Sequence, residues 1–252
     1  MSSNLTEGTI IGIDTMSRRR RLTLIFLSGV LLVVLAVLAI EINSWWMTGL
    51  DTSVWNWFDA HRSHRWQGDE DGIFTFIGKP VHVAIAGLVS GALLALQARD
   101  VLRLVVVTGT VGAGAVIEQT LKATVERSPE NLAQLRNDSV PDWSILDFYA
   151  HSFPSGHVTG AATLFGTIAV CLGVGRSRAV QILMSAVAVA GVLTVAWLAL
   201  YVRAHIFTDV IGGMILGGAL VALAAATIVT PTPRAVSRPH KRQIGGTHSR
   251  TV

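Results

Sequence analysis

The stretch that decides the reading is "FPSGHVTGAATLFGTIAVCLG", residues 153–173. Its first residues are polar and turn-forming. From Val158 onward it is an unbroken run of apolar and small residues with no Asp, Glu, Lys or Arg. A helix needs about 20 such residues to cross a bilayer. The run therefore predicts a membrane span over residues 157–175, with Ser155, Gly156 and His157 at its mouth. Polar groups at membrane depth need a partner or a task.

Working outward, five further blocks have the same character, at roughly residues 22–42, 73–97, 101–124, 179–203 and 206–230. The composition agrees: 51% of the 252 residues are hydrophobic and 14% charged, with a mean hydropathy of +0.53. Soluble domains carry about 25% charged residues. The predicted fold is all-α, a bundle of six transmembrane helices. The first block follows "SRRRR", is longer than a signal-peptide core and leads into "EINSWW", which offers no small-residue cleavage site; it reads as a retained span. The lone Cys171 excludes an intrachain disulfide and reads as a small apolar side chain.

Orientation follows from Lys and Arg in the connections. With the N-terminus in the cytoplasm, the inner segments hold Arg18 to Arg21, Arg99, Arg103, Arg176, Arg178, Arg234, Arg238, Lys241, Arg242 and Arg250. The two long outer loops hold only Arg62, Arg65, Arg127 and Arg136. Six spans return the C-terminus to the cytoplasm. The chain thus divides into a basic cytoplasmic segment, 1–21, a six-span domain, 22–230, and a tail, 231–252, that is basic and has the composition of a disordered segment. The basic residues flank the spans rather than forming one patch, which excludes a nucleic-acid binder.

The outer loop over residues 43–72 contains Trp45, Trp46, Trp55, Trp57 and Trp66, residues suited to the headgroup level. Residues 51–63 are expected to form a short interfacial helix. His61 and His64, three apart, read as part of this decoration rather than as metal ligands, because no third ligand lies nearby.

On this topology three polar clusters meet the outer face. Lys122 ends the third span, "PSGH" (154–157) opens the fourth, and "YVRAHIFTD" (201–209) joins the last two. Each suits phosphate chemistry. Ser155 and Gly156 precede a helix, so backbone N–H groups, a hydroxyl and the positive end of the helix dipole favour an anion there. Lys122 supplies a point charge. A carboxylate, Asp209, four residues after His205 fixes the imidazole tautomer and leaves the other nitrogen free to attack phosphorus. His157 is then the acid for the leaving oxygen. No metal or other cofactor is required.

With these residues the sequence resembles the type 2 phosphatidic acid phosphatase superfamily, whose pattern is K-x6-R-P, P-S-G-H and S-R-x5-H-x3-D. The second motif is matched in full by Pro154, Ser155, Gly156 and His157; the first by Lys122; the third by His205 and Asp209. The resemblance implies His205 as nucleophile, Asp209 as its orienter, His157 as general acid, and Lys122, Ser155 and Gly156 as phosphate ligands. It covers roughly residues 22–230.

Both family arginines are absent. Pro129 and Glu130 stand where Arg-Pro is expected, and Leu198 and Ala199 where Ser-Arg is expected. Losing one preorganised donor costs about 10²–10³ in rate. Two replacements are near in sequence. Arg203, in a continuous helix, lies one turn (about 5.4 Å) beyond Ala199 on the same face. Arg127 lies two residues before Pro129, which breaks helix at Ser128 and frees Arg127 to turn inward. Arg136 is a weaker candidate, and Glu130 is an anion out of place beside a phosphate site. The outer loop 126–156 is also acidic, with Glu126, Glu130, Asp138, Asp142 and Asp147.

The leading expectation is a metal-independent lipid phosphatase of a bacterial plasma membrane, its site facing outward. Polyprenyl phosphate or pyrophosphate, phosphatidic acid and phosphatidylglycerophosphate are candidate substrates. A second reading is a head-group transferase, since "HIFTD" is similar to the "HYTVD"-like motif of sphingomyelin synthases in its Thr208–Asp209 pair. A third is a non-catalytic lipid-phosphate binder with a degenerate site.

Overall fold

In the computed structural model the described residues are 4–61, 72, 74, 76, 78–136 and 148–228, with side chains described from Arg18 onward. They form helices and turns with no strand. The helices are α1 (Asn4–Ile40), a 3₁₀ turn (Glu41–Asn43), α2 (Trp45–His61), α3 (Pro80–Ala98), α4 (Val101–Thr124), α5 (Pro129–Arg136), α6 (Gly156–Gly173), α7 (Arg178–Tyr201) and α8 (Phe207–Ile228). Six of these segments are long and apolar enough to span a membrane: Arg18–Asn43, α3, α4, α6, α7 and α8. The protein is a multi-pass membrane protein.

The helix carrying the decisive stretch is the middle of the bundle. α6 packs against α3, α4, α7 and α8, while α1 lies along α8. Within the apolar windows of α6 and α8, 44% of residues are buried, against 11% for α1 and α7. The outer helices present Phe26, Val33, Ile40, Ile182, Leu183 and Val187 outward, a surface suited to lipid rather than water. α6 and α8 approach closely because their contact is built from small residues. A Cβ on Gly217 would lie 2.3 Å from the Ala162 Cβ.

The helix ends follow from local chemistry. Ser155 caps α6 by accepting from the Val158 N–H (3.4 Å), and Asp100 caps α4 by accepting from the Leu102 N–H (3.0 Å). α3 begins at Pro80 rather than at residue 73, with proline in the first turn, where its missing N–H costs nothing.

Two further expected boundaries are corrected. The interfacial helix expected over 51–63 is longer and earlier, Trp45–His61. Its inner face is not apolar only: Thr48 and Asp51 are buried beside Met47 and Phe58. The fifth span, expected to reach residue 203, stops at Tyr201, and Arg203 takes a left-handed conformation (φ 58°). That departure is stabilised by bonds of the Ala204 and His205 N–H groups to the Ala199 carbonyl and of the Tyr149 hydroxyl to the Arg203 carbonyl.

His61 stacks on Trp57, with Nδ1 2.7 Å from the Trp57 carbonyl. His64 lies outside the described residues, as do Asp138, Asp142 and Asp147 of the acidic loop and the tail from residue 229. Glu130 is exposed in the first turn of α5, where the helix dipole favours an acid.

Candidate active site

One end of the bundle gathers the end of α4, the starts of α6 and α8, and the inner face of α2. The segment before α6 is tied to α8 by a bond from the Ser155 N–H to the Asp209 carbonyl (2.9 Å). This brings the two motif histidines together: the His157 and His205 rings lie edge to face, with centroids 5.6 Å apart. Phe74 stacks on the other side of His157 at 4.4 Å. The Nε2 of His157 is buried and has no hydrogen-bond partner among the described residues.

His205 precedes α8 by two residues, so its contact with Asp209 is made across the helix start. His205 Nδ1 is 3.4 Å from Asp209 Oδ2, which also accepts from the Ile206 N–H at 3.1 Å. Asp209 is fully buried.

The other oxygen of Asp209 meets Arg127. Arg127 does turn inward, as Pro129 suggests, and is 4% exposed, but its guanidinium binds carboxylates. Nη2 donates to Asp209 Oδ1 and to Thr208 Oγ1, both at 2.6 Å, and Nη1 donates to Asp51 Oδ2 at 3.1 Å. Asp51 in turn accepts from the Thr208 N–H and hydroxyl, both at 2.8 Å. Thr208, the residue shared with the transferase motif, is thus committed to this buried network. Burial pushes the Asp51 carboxyl up to about 6, against the pull of the Arg127 guanidinium and the Thr208 bonds.

Arg203 does not reach back along a helix, because the helix has ended. Its guanidinium pairs with Asp59 of α2 and lies 4.6 Å over the Trp55 ring. The side chain of Arg136 is outside the described residues.

Lys122, Gly156 and His157 share a cavity of about 150 Å³ that is also lined by Glu118, Gln119 and Thr159. Ser155 is fully buried, its hydroxyl engaged as the α6 cap. Lys122 Nζ is 2.5 Å from Glu118 Oε1, one helical turn earlier. On its other side His157 lines a larger cavity of about 580 Å³, walled by Phe74, Val83, Leu164, Phe165, Val195 and Leu198. Gly78 and Gly160 border both spaces. A Cβ on Gly78 would collide with the His157 ring, so only glycine admits the ring there.

Sequence reasoning missed Asp51, Glu118, Phe74 and Thr159. Glu118 carried a signal: an acid inside an apolar run is costly and calls for a partner. Asp51 carried none, because its partners lie 76 and 157 residues away.

No curated protein sequence matches the chain. Among solved structures, the chain resembles one described as the first transmembrane PAP2 type phosphatidylglycerolphosphate phosphatase from Bacillus subtilis, with a TM-score of 0.60. The match covers 80% of this chain and 93% of that one, at 21% identity, which establishes a shared fold. The model of the PAP2 superfamily matches residues 100–232, which include Lys122, the P-S-G-H motif, His205 and Asp209. The chain belongs to the PAP2 superfamily, and this membership supports a lipid phosphatase at the family level.

Proposed function

We propose that this protein hydrolyses a lipid phosphate monoester or pyrophosphate at the outer face of the membrane through a phosphohistidine. The observation that carries the reading is the position of His157 between two unlike cavities. The smaller is bordered by Lys122, Glu118, Gln119, Gly156 and Thr159 among small and apolar residues; the other, about four times larger and almost wholly apolar, runs among α3, α6 and α7. A molecule with a phosphate at one end and a hydrocarbon chain at the other fits that division.

In the proposed cycle His205 Nε2 attacks phosphorus while its Nδ1–H is held by Asp209. The bond to the lipid oxygen breaks, and His157 gives that oxygen a proton. Water then attacks the phosphohistidine and returns a proton to His157, releasing inorganic phosphate. Lys122 and the Gly156 end of α6 are the proposed phosphate ligands, with Ser155 holding the helix start. Arg127 supports Asp209 in this scheme rather than binding phosphate. An outward-facing site is supported by charge: Arg99, Arg103, Arg176 and Arg178 flank the short connections at the opposite end of the bundle, the side that the positive-inside rule assigns to the cytoplasm.

The pairing of Lys122, Arg127 and Arg203 with carboxylates favours the competing reading of a non-catalytic binder. Phosphate release from a panel of lipid phosphates, with EDTA present, separates the two. The panel contains phosphatidylglycerophosphate, phosphatidic acid and polyprenyl phosphates. Release by the wild type that is lost in His205→Ala is expected. No release above that variant from any lipid would overturn the phosphatase reading, and phosphate appearing on an added lipid alcohol would replace it with a transferase.

A further inference from the structure

Glu118 occupies the place where the site would hold an anion. It sits one turn before Lys122 on α4, so both project from one helix face. Its side chain is 5% exposed, and one carboxylate oxygen lies 2.5 Å from Lys122 Nζ. The other accepts from Gln119 Nε2 at 3.0 Å. The carboxylate is packed against the first residue of α6: a Cβ on Gly156 would fall 2.8 Å from Oε1 and 3.1 Å from Cδ. One carboxylate of the chain therefore pairs with the lysine and lies against the glycine that opens α6, beside the two features that attract a phosphate oxygen. His157 and Thr159 line the same cavity, and their Nε2 and Oγ1 are buried without hydrogen-bond partners among the described residues.

We propose that Glu118 is the resident anion of the phosphate subsite. An arriving phosphate exchanges with it on Lys122, and Glu118 returns to Lys122 as inorganic phosphate leaves. This deepens the phosphatase reading and rests on it. Glu118 sets the affinity of the site for phosphate rather than the chemistry. A carboxylate that stays within a few ångströms of the bound oxyanion repels it, and while paired with Lys122 it removes the cation that would attract it. The resident charge weakens binding of free phosphate, whose oxygens must compete without help from a lipid tail. A lipid phosphate has the apolar cavity to offset the same penalty. Glu118 thus holds free phosphate to weak binding and limits inhibition by the product, while the tail keeps a lipid ester bound.

The test measures inhibition by inorganic phosphate and orthovanadate in purified wild type, Glu118→Gln and Glu118→Ala, alongside KM for a lipid phosphate. Direct binding of vanadate by calorimetry serves as a readout independent of turnover. Removing the charge is expected to tighten inorganic phosphate and vanadate by about tenfold or more and, where KM reports binding, to lower KM by a similar factor, because the same headgroup penalty is removed and the tail contribution is unchanged. Glu118→Ala covers the case in which the buried amide of Glu118→Gln disturbs folding. Phosphate and vanadate affinities unchanged or weakened in both variants, with the wild type active, overturn this inference and leave the phosphatase reading standing. A wild type that neither releases phosphate nor binds vanadate removes the phosphatase reading, and this inference with it.

Discussion

Arg127 Nη2 lies 2.6 Å from Asp209 Oδ1, while the other oxygen of the same carboxylate faces His205 Nδ1 at 3.4 Å. Arg127 and His205 therefore share one buried acid. The guanidinium fixes the carboxylate through a charge-assisted bond, and the carboxylate orients the imidazole.

Removing this arginine leaves Asp209 and Asp51 buried without their cation. Arg127→Ala is expected to lower stability by about 3–5 kcal/mol, the cost of breaking a buried pair from one side. Arg127→Lys keeps the charge but not the fork that reaches Asp51, Thr208 and Asp209 together, and should fall between. Thermal unfolding in detergent checks both. An Arg127→Ala protein as stable as the wild type would mean that the network contributes nothing.

Asp51 makes stability depend on pH in a defined direction. Its carboxyl is raised from 3.8 to about 6 in the folded protein, so the fold holds this proton more tightly than the unfolded chain does. The resulting stabilisation is fully present below about 4 and is lost as pH rises through about 6. The unfolding midpoint of the wild type relative to Asp51→Asn should therefore rise between pH 7 and pH 5. A difference that stays constant over that range contradicts the assignment, since titrating groups remote from Asp51 contribute equally to both proteins.

Arg203 and Lys122 should separate in kinetics. Arg203 is held by Asp59 and Trp55, and its partner acid is 62% exposed. Exposed pairs contribute about 0–1 kcal/mol. Arg203→Ala is expected to change KM for a lipid phosphate by less than about threefold, whereas Lys122→Ala raises it by about tenfold or more. The reverse order would place the phosphate on the α2 side of the site.

The spans and the motif residues were readable because their signals are local. An apolar run, a proline–serine–glycine–histidine mouth and a His–Asp pair four apart are each contained within one helix or one turn. The two arginines were not readable, because their positions depend on partners from α2, which only the folded bundle brings near. Arg127 was expected to turn inward and does so, yet Asp51 and Asp209 decide what it binds. Arg203 was assigned from helix continuity, but the chain leaves the helix at Tyr201. The acid in "VIEQTLK" (116–122) was legible as an intramembrane charge with a lysine one turn away; only its packing on Gly156 needed the fold.

In the proposed cycle His205 forms a covalent bond to phosphorus. The most direct measurement is rapid alkaline quenching of the wild type during turnover of a ³²P-labelled lipid phosphate, followed by mapping of the labelled peptide. Label that is stable to alkali, labile to acid and located on His205 is the expected result. Asp209→Asn should reduce the rate of labelling by about 10³-fold or more, as loss of an orienting carboxylate does elsewhere. Steady phosphate release with no label on His205, or with label on another residue, would contradict the account.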